Sequence, residues 1–289
     1  MESSDLRVFQ MVAREGSVTK AAQRLGYVQS NITARIRQLE SELQTVLFYR
    51  HNRGMSLTSS GKTLLTYADK IVGLLDEAFI ALSSSGEPSG PLLIGSTQTA
   101  AAVRLPKLLA CYYEQHSNVQ LSLTTGHSQF LIEKVLHYEL DGAFIGCSCT
   151  HPELVSIPAF EEELVIAAGP NVADLAEALA KPILVFSSGC SYRDVLEEWL
   201  QSIGKMQPTM MEFGMLEAII GGISAGLGIS LMPKAVVSKH EADGSIRTFE
   251  MPHRYRHIHT EFITRKDAFV SSSLSTFMAM LPESSGAIN

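Results

Sequence analysis

A group of polar side chains between residues 29 and 35 can form hydrogen bonds with the edges of nucleic-acid bases. The group comprises Gln29, Ser30, Asn31, Thr33 and Arg35. Glutamine and asparagine can bond adenine through two atoms at once, and arginine can do the same with guanine. Apolar residues recur between them at helical spacing, namely Ile32, Ile36, Leu39 and Leu43. This pattern predicts an amphipathic helix that directs its apolar residues to a core and exposes the polar ones near its N-terminus.

Two preceding helices are predicted to position this third helix. The first has an apolar face made of Leu6, Phe9, Val12 and Ala13. It should end at Gly16, and Ser17 or Thr19 can cap the second helix. The second helix carries small alanines, which allow close helix packing, and should end at Gly26. This succession is typical of a helix–turn–helix, in which the N-terminal end of the recognition helix meets the base edges.

A basic turn follows the third helix. Arg50, His51, Asn52 and Arg53 precede Gly54, after which polar and apolar residues alternate as far as Thr58. The pattern predicts a two-stranded wing whose basic tip contacts phosphates or the minor groove. A small helical domain with a solvated polar face is the alternative for any one of these features. Their agreement favours binding to double-stranded DNA.

Residues 1–60 resemble the DNA-binding domain of LysR-type transcriptional regulators. The residues that carry the resemblance are Phe9, Gly16-Ser17, Thr19-x-Ala21-Ala22, Leu25, Gln29, Ile36, Leu39-Glu40, Leu43, Leu47-Phe48, Arg50 and Leu57-Thr58-x-x-Gly61. The family usually has serine at the position of Thr33 and glycine at that of Gln44, and the second departure concerns how the third helix ends. The predicted DNA contacts are Thr19, Gln29, Ser30, Asn31, Thr33, Arg35, Arg50 and Arg53.

Charge is unevenly distributed along the 289 residues, whose net charge is −7. The first 62 residues hold nine basic and five acidic residues, a balance of +4, against −11 for the remainder. A basic N-terminal region on an acidic body orients the molecule toward DNA.

Three features of the sequence bear on localisation. No apolar run approaches the roughly 20 residues of a membrane span, and the N-terminal residues lack the apolar core of a signal peptide. The four cysteines are too few and too unevenly placed for a secreted disulfide framework. We therefore expect a cytoplasmic protein without a membrane partner.

One long helix is predicted over residues 59–82, with an apolar stripe wider than an exposed linker should show. The stripe can pack on the body of the same chain, or, as the resemblance implies, pair antiparallel with a second copy in a homodimer or homotetramer. A run rich in serine, glycine and proline follows and predicts a hinge. We divide the chain into a winged helix–turn–helix (1–58), a dimerisation helix (59–82), a hinge (83–90) and an effector-binding domain (91–289).

Strand and helix patterns alternate after the hinge, which predicts an α/β body with mostly parallel sheets. The pattern breaks near residue 161, which suggests two lobes. The family resemblance implies a two-lobed, periplasmic-binding-protein-like domain. Its first lobe would comprise residues 91–161 and 266–289, and its second lobe residues 162–265. The predicted fold class is therefore α/β with an N-terminal winged helix–turn–helix.

Three turns that should lie beyond the carboxyl ends of strands are rich in small polar residues. They cover residues 96–99, 125–128 and 187–191. Hydroxyls beside helix N-termini suit an anion such as a carboxylate, although each residue taken singly can equally be a helix cap. We expect a small, anionic effector that shifts the lobes. The candidate effector-binding residues are Ser96, Thr97, Gln98, Thr99, Thr125, His127, Ser188 and Cys190.

Three further patterns are compatible with other functions. Gly222-x-Ser224-x-Gly226 matches a hydrolase nucleophile motif, but that motif needs a strand before it and a helix after it, the reverse of the order predicted here. Cys147-x-Cys149-x-His151 has ligand types that a soft metal accepts, and Cys190 at a helix N-terminus can have a lowered pKa and sense oxidants.

No complete catalytic constellation accompanies these patterns. We therefore expect no enzymatic activity and neither a metal nor a cofactor. An architectural DNA-binding protein would not need the large α/β body. RNA polymerase is a further candidate partner of a regulator of this type.

Overall fold

The computed structural model describes residues 1–51, 54–83, 87–186, 189–205 and 208–281. Internal contacts divide the chain into two compact units, Met1–Ser84 and Ser85–Asn289, and each is described by itself. Among the described residues, no helix combines the length and the apolar character that crossing a membrane requires.

Within its described residues, the N-terminal unit contains four helices and a pair of antiparallel strands. In chain order its elements are α1 (Ser3–Glu15), α2 (Val18–Leu25), α3 (Gln29–Glu42), β1 (Phe48–His51), β2 (Gly54–Leu57) and α4 (Ser59–Ser83). Strands β1 and β2 are antiparallel and form the predicted wing. The amide of Met55 in β2 donates a hydrogen bond to the carbonyl of Gly16 (2.8 Å). This bond fixes the wing against the turn between α1 and α2.

The turns that separate the first three helices form as the sequence predicts. Gly16 and Gly26 adopt left-handed conformations with φ of 59° and 68°, which glycine reaches without steric cost. The side chain of Ser17 accepts the amide of Lys20 (3.4 Å) and caps α2. These turns place α3 across the two helices that precede it.

The core of this unit contains Phe9, Ile32, Ile36 and Leu39, all nearly inaccessible to solvent. Leu43 was predicted to join them, and that prediction is wrong because the side chain is 38% exposed. The reason is that α3 ends at Glu42, so that Leu43 lies at its C-cap and no longer follows the helical period.

Helix α4 has a buried edge and an exposed apolar face. Ala68 and Val72 pack in the core beside α1, where the buried carboxylate of Asp69 accepts the side-chain amide of Gln10 (2.6 Å). Among the side chains of this helix that the structure describes, six large apolar ones are exposed, namely Tyr67, Ile71, Leu74, Leu75, Phe79 and Leu82. Exposed apolar side chains in such number are typical of an interaction surface.

The C-terminal unit alternates strands and helices. Its elements are β3 (Gly90–Ser96), α5 (Gln98–Val103), α6 (Leu105–Gln115), β4 (Val119–Thr125), α7 (Ser128–Leu136), β5 (Gly142–Ile145), β6 (Leu154–Ala168), α8 (Leu175–Ala178), β7 (Ile183–Val185), α9 (Ser191–Ser202), β8 (Met210–Glu212), α10 (Leu216–Ser224), β9 (Ser230–Pro233), α11 (Lys234–Ala242), β10 (Arg247–Glu250), α12 (His253–Arg256), β11 (His257–Arg265) and α13 (Ser272–Ala279). Helices α5 and α6 follow each other directly, and a new helix starts at Leu105 because Pro106 cannot donate a backbone hydrogen bond.

The main sheet has the strand order β10-β6-β11-β5-β3-β4, with β9 also paired to β6. Strand β3 is parallel to β4 and β5, whereas every pairing of β6 and β11 is antiparallel. The expectation of mostly parallel sheets is therefore wrong for this sheet. The reason is that β6 carries the chain out of one lobe and β11 carries it back, so the two strands run in opposite directions.

Separate hydrophobic cores lie at the two ends of β6 and define the two lobes. In the first lobe, Leu92 and Phe144 pack with Phe277 of α13, so the last described helix packs in this lobe. In the second lobe, Leu164 packs with Trp199. Phe262 already lies in the core of the first lobe. The chain therefore re-enters that lobe within β11, close to the bulge at Thr260/Glu261 and before residue 265.

Candidate DNA interface and effector cavity

The N-terminal end of α3 presents polar side chains to solvent. Gln29, Ser30 and Asn31 are exposed, and a shallow groove on this end is lined by Gln29, Ser30, Thr33, Ala34 and Arg37. Thr33 is half-buried, and its hydroxyl donates a hydrogen bond to the carbonyl of Gln29 (3.0 Å). This end of the helix can therefore offer amide and hydroxyl groups to base edges.

Arg35 has a different environment from its neighbours. Its Nη1 lies 2.8 Å from a carboxylate oxygen of Asp5 and 3.0 Å from the hydroxyl of Ser4, and its Nε donates to Oδ1 of Asn31 (3.1 Å). The Asp5 side chain is only 9% exposed. These bonds direct the guanidinium toward the start of α1, where it holds α3 in place.

Arg37 is a candidate that the sequence reasoning missed. It is exposed and lies in the groove one helical turn after Thr33. The spacing of Gln29, Thr33 and Arg37 by four residues places them on one helix face. That spacing was the signal available in the sequence.

The wing supplies a further cation. Arg50 of β1 is exposed, and its guanidinium lies 3.8 Å from the carboxylate of Glu40. Glu40 also accepts the backbone amide of Leu47 (2.9 Å), so this carboxylate joins α3 to the start of the wing. Thr19 is exposed in the first turn of α2. Arg53, another predicted DNA contact, lies outside the described residues.

Both lobes of the C-terminal unit line a cavity of about 310 Å³, called here the interlobe cavity. The first lobe contributes residues that follow β3, β4 and β5, and the second lobe contributes residues near the starts of α9 and α10. The lining residues are Thr97, Gln98, Thr99, Gly126, His127, Ser128, Phe130, Gly146, Phe186, Cys190, Ser191, Tyr192 and Gly214. The volume suits a small metabolite.

Of the predicted effector-binding residues that the structure describes, five lie in this lining and two do not. Thr97, Gln98, Thr99, His127 and Cys190 are all lining residues. Ser96 is instead fully buried, and its hydroxyl donates a hydrogen bond to the carbonyl of Thr97 (3.0 Å). Thr125 is exposed and is not among the lining residues. Ser188 lies outside the described residues.

Hydrogen bonds cross the interlobe cavity from one lobe to the other. The hydroxyls of Thr99 and Tyr192 are 2.9 Å apart. The side chain of Gln98 donates to the carbonyl of Gly214 (3.0 Å) and accepts the amide of Leu216 (2.8 Å). These bonds tie α5 of the first lobe to α9 and α10 of the second, so a ligand in this position is able to alter how the lobes meet.

The described wall of the interlobe cavity contains no Asp, Glu, Lys or Arg side chain. Burial raises the pKa of the Tyr192 phenol well above its ordinary range and also raises the pKa of the Cys190 thiol. Both groups therefore stay protonated near pH 7. The suggestion that Cys190 has a lowered pKa is wrong, because burial outweighs the amide groups of Tyr192 and Arg193 that face its sulfur.

Several lining residues escaped the sequence reasoning. Ser128 and Ser191 belong to the polar turns 125–128 and 187–191, so the sequence contained a signal that could have identified them as lining residues. It contained no such signal for the aromatic lining residues Phe130, Phe186 and Tyr192, because aromatic residues at these spacings are indistinguishable from ordinary core residues. His127 was predicted, and its Nδ1 accepts the amide of Phe130 (3.2 Å). In the neutral ring this leaves the proton on Nε2.

The two other patterns noted in the sequence lie at the end of α10 and in the segment that follows β5. Ser224 is the last residue of α10 and is followed by strand β9, so the nucleophile motif has the wrong order of elements. Among the described residues, no three His, Cys, Asp or Glu side chains are grouped so that they could hold a metal ion. Cys147, Cys149 and His151 therefore have no such group around them within the part of the chain described.

Comparison with known proteins agrees with these features. Residues 3–62 match the family of bacterial regulatory helix–turn–helix proteins of the lysR family, and residues 85–285 match the LysR substrate-binding domain. The uncharacterised HTH-type transcriptional regulator YusT of Bacillus subtilis is 70% identical over 278 residues, which cover 96% of this chain and 94% of YusT.

Two full-length solved structures share the fold. A single-residue variant of OxyR from Pseudomonas aeruginosa has a TM-score of 0.71 at 21% identity, and the match covers 97% of this chain and 93% of the OxyR chain. CbnR in complex with its target DNA has a TM-score of 0.68 at 23% identity, and the match covers 97% of this chain and 99% of CbnR. The matched family and YusT are transcriptional regulators and not enzymes. On the two matched domains and the identity with YusT, the chain belongs to the LysR family of DNA-binding transcriptional regulators.

Proposed function

We propose that a small, anionic effector controls this transcriptional regulator by binding in the interlobe cavity. The observation that carries the proposal is that both lobes line this cavity and exchange hydrogen bonds across it. A ligand that binds one arrangement of the lobes better than another shifts the population toward it. The hydroxyls of Thr97 and Ser191 and the Nε2–H of His127 can donate to an anion there.

We assign base recognition to Gln29, Ser30, Asn31 and Thr33, with Thr19 beside them. Arg37, Arg50 and Arg53 serve phosphates or the minor groove. Arg35, for which the sequence predicts a base contact, acts chiefly by positioning α3 through Asp5. The exposed apolar face of α4 supports pairing of this helix with a second copy, in a dimer or a tetramer of dimers. Two recognition helices would then read half-sites about one DNA turn apart.

The DNA-binding part of the proposal is tested by selecting genomic fragments bound by the purified protein at two salt concentrations. A shared, roughly palindromic motif is the expected result. Binding that shows no shared motif and is lost as salt rises would indicate an architectural role instead.

A single variant tests the recognition residues. Gln29→Ala should relax base preference at one position of the selected motif, at a cost of about 1–3 kcal/mol. An equal loss on all sequences would move Gln29 to the phosphate contacts.

The effector part is tested by filling the cavity. Gly214 lines it, has open space where a side chain would point and needs no left-handed backbone, so Gly214→Phe should occupy the cavity. The matched control is Gly221→Phe, since Gly221 has the same open space but does not line the cavity. We expect Gly214→Phe to abolish the response of a reporter gene to its inducing condition while DNA binding persists. An intact response in Gly214→Phe would reject the cavity as the effector site.

A further inference from the structure

We propose that the effector is a carboxylate with an apolar body and without an ammonium group, and that Phe130 and Phe186 select that body. The inference rests on the proposed function, because it names the ligand class of the same interlobe cavity. It follows from the lack of charged carboxylate, ammonium and guanidinium side chains in the described wall, and from the phenylalanine side chain that each lobe contributes to the lining.

The lack of carboxylates in the described lining argues against a ligand that carries an ammonium group. Burying an ammonium is expensive unless a carboxylate or several acceptors compensate for the lost water. No Asp or Glu lies in the described lining, and Tyr192 and Cys190 are protonated. α-Amino acids would bring such a group into the cavity. Hydroxy or keto acids of the same shape would bring no ammonium group into the cavity.

The same wall argues against ligands with several carboxylates. Each additional negative charge would need an Arg or Lys partner, and neither type occurs in the described lining. A single carboxylate is different, because neutral N–H and O–H donors suffice to stabilise one buried anion. Thr97 and Ser191 provide hydroxyls in the lining, and His127 can provide an Nε2–H donor.

Phe130 provides an apolar surface in the first lobe, and neighbouring residues hold its ring in place. Gly126 permits this position, because a Cβ at residue 126 would collide with the Phe130 ring. The ring centroid lies 5.9 Å from that of His127, and the Nζ of Lys134 lies 4.9 Å from the Phe130 centroid. Lys134 itself is paired with Glu139 and does not line the cavity. The ring is thus held in the lining by neighbours on several sides.

Phe186 provides the corresponding surface in the second lobe. It follows β7 and is half-buried. It packs against two clusters of buried apolar residues in that lobe, one that contains Leu164 and one that contains Leu184. One phenylalanine side chain from each lobe therefore lines the cavity. An apolar body that contacts both rings is shielded from water by both lobes, which favours the arrangement of the lobes that encloses it.

The test uses full-length protein and pairs of ligands that differ by one group. The pairs are L-3-phenyllactate with L-phenylalanine, and L-2-hydroxyisocaproate with L-leucine, and calorimetry gives each Kd. In both pairs we expect the hydroxy acid to bind at least about tenfold more tightly than the amino acid. Succinate and citrate, which lack an apolar body, should bind more weakly than either hydroxy acid. Equal or tighter binding of the amino acids, or of succinate or citrate, would overturn the assigned class.

Two conservative variants test the aromatic pair. Phe130→Leu and Phe186→Leu keep an apolar side chain, so the fold should persist, as circular dichroism would verify. We expect either variant to weaken binding of L-3-phenyllactate by about tenfold or more, with a smaller effect on L-2-hydroxyisocaproate. The control is Tyr113→Leu, because Tyr113 is exposed and is absent from the lining. Unchanged affinity in both phenylalanine variants would show that these rings do not select the ligand.

Gly214→Phe separates failure of this inference from failure of the proposed function. If no probe binds, or if only the amino acids bind, while Gly214→Phe still abolishes the reporter response, the ligand class is wrong and the site stands. If no probe binds and Gly214→Phe leaves the reporter response intact, both proposals fail. If the hydroxy acids bind and Gly214→Phe removes that binding, both are supported.

Discussion

The hydroxyl of Tyr192 lies 2.9 Å from the hydroxyl of Thr99, and both side chains are buried. Thr99 belongs to α5 of the first lobe and Tyr192 to α9 of the second, so this bond joins the lobes at the wall of the interlobe cavity. A bond in this position contributes to stability and also to the balance between lobe arrangements.

Removal of either hydroxyl should destabilise the protein. We expect Tyr192→Phe and Thr99→Val each to lower the free energy of unfolding by about 1 kcal/mol, because the remaining hydroxyl stays buried without its main partner. Urea unfolding of the full chain measures the change. The double variant provides the control, since it should cost less than the sum of the single variants by about 0.5–1.5 kcal/mol. Strict additivity would mean that the two hydroxyls do not interact.

Cys190 should react slowly with thiol reagents. Burial raises the pKa of the Cys190 thiol. Only the thiolate attacks the reagent, so a raised pKa leaves a smaller fraction of Cys190 as thiolate at pH 8. Alkylation by iodoacetamide should continue to accelerate above pH 9, where a thiol of ordinary pKa would approach its plateau. Peptide mass spectrometry can follow each cysteine separately, with the exposed Cys111 as the internal control. Faster labelling of Cys190 than of Cys111 at pH 8 would contradict the raised pKa.

Asp5 and Arg35 should act as a unit in DNA binding. If Arg35 positions α3 through its 2.8 Å contact with Asp5, then Asp5→Ala and Arg35→Ala should lower stability similarly, by about 1 kcal/mol, and weaken binding to the operator similarly. Electrophoretic mobility shifts on operator variants measure affinity and base preference together. A change of base preference in Arg35→Ala alone would restore Arg35 to the group that reads bases.

Arg37→Ala should weaken binding to all DNA sequences by a similar factor. The side chain is exposed in the groove beside Gln29 and Thr33, and removal of one phosphate interaction there should reduce the salt slope of log Kd by about 1. Titrations at several salt concentrations give this slope. Arg254→Ala is the charge-matched control, because Arg254 is an exposed arginine of the other unit, ion-paired with Glu198. An unaltered slope in Arg37→Ala would exclude the phosphate interaction.

Gln44→Gly should stabilise the N-terminal unit. Gln44 is a non-glycine residue with φ of +50°, and it follows the end of α3, where its amide donates to the carbonyl of Ser41 (3.3 Å). Glycine adopts this left-handed conformation without steric cost, so we expect a gain of about 0.5–1 kcal/mol. Thermal unfolding measures the gain. Gln44→Ala is the control and should give none, since alanine has the same steric penalty.

The helix–turn–helix could be predicted from the sequence because its determinants are local. Gly16, Ser17 and Gly26 specify turns through their own backbone preferences and hydrogen bonds, and Ile32, Ile36 and Leu39 identify the buried face by spacing. The contact of Arg35 with Asp5 could not be predicted in the same way. Its partner Asp5 is thirty residues away, and nothing in the spacing of α3 records that contact.

In the C-terminal unit, the sequence determined the alternation of strands and helices and three polar turns that precede helices. Tertiary structure decided which of those turns meet. Thr97, His127 and Cys190 come together because β3, β4 and β7 end near one another, whereas Ser96 and Thr125 belong to the same turns but stay out of the lining. The antiparallel crossing of β6 and β11, and with it the presence of Phe130 and Phe186 in one cavity, depends on contacts between distant segments. Such contacts arise from three-dimensional packing, to which neither residue type nor local periodicity is sensitive.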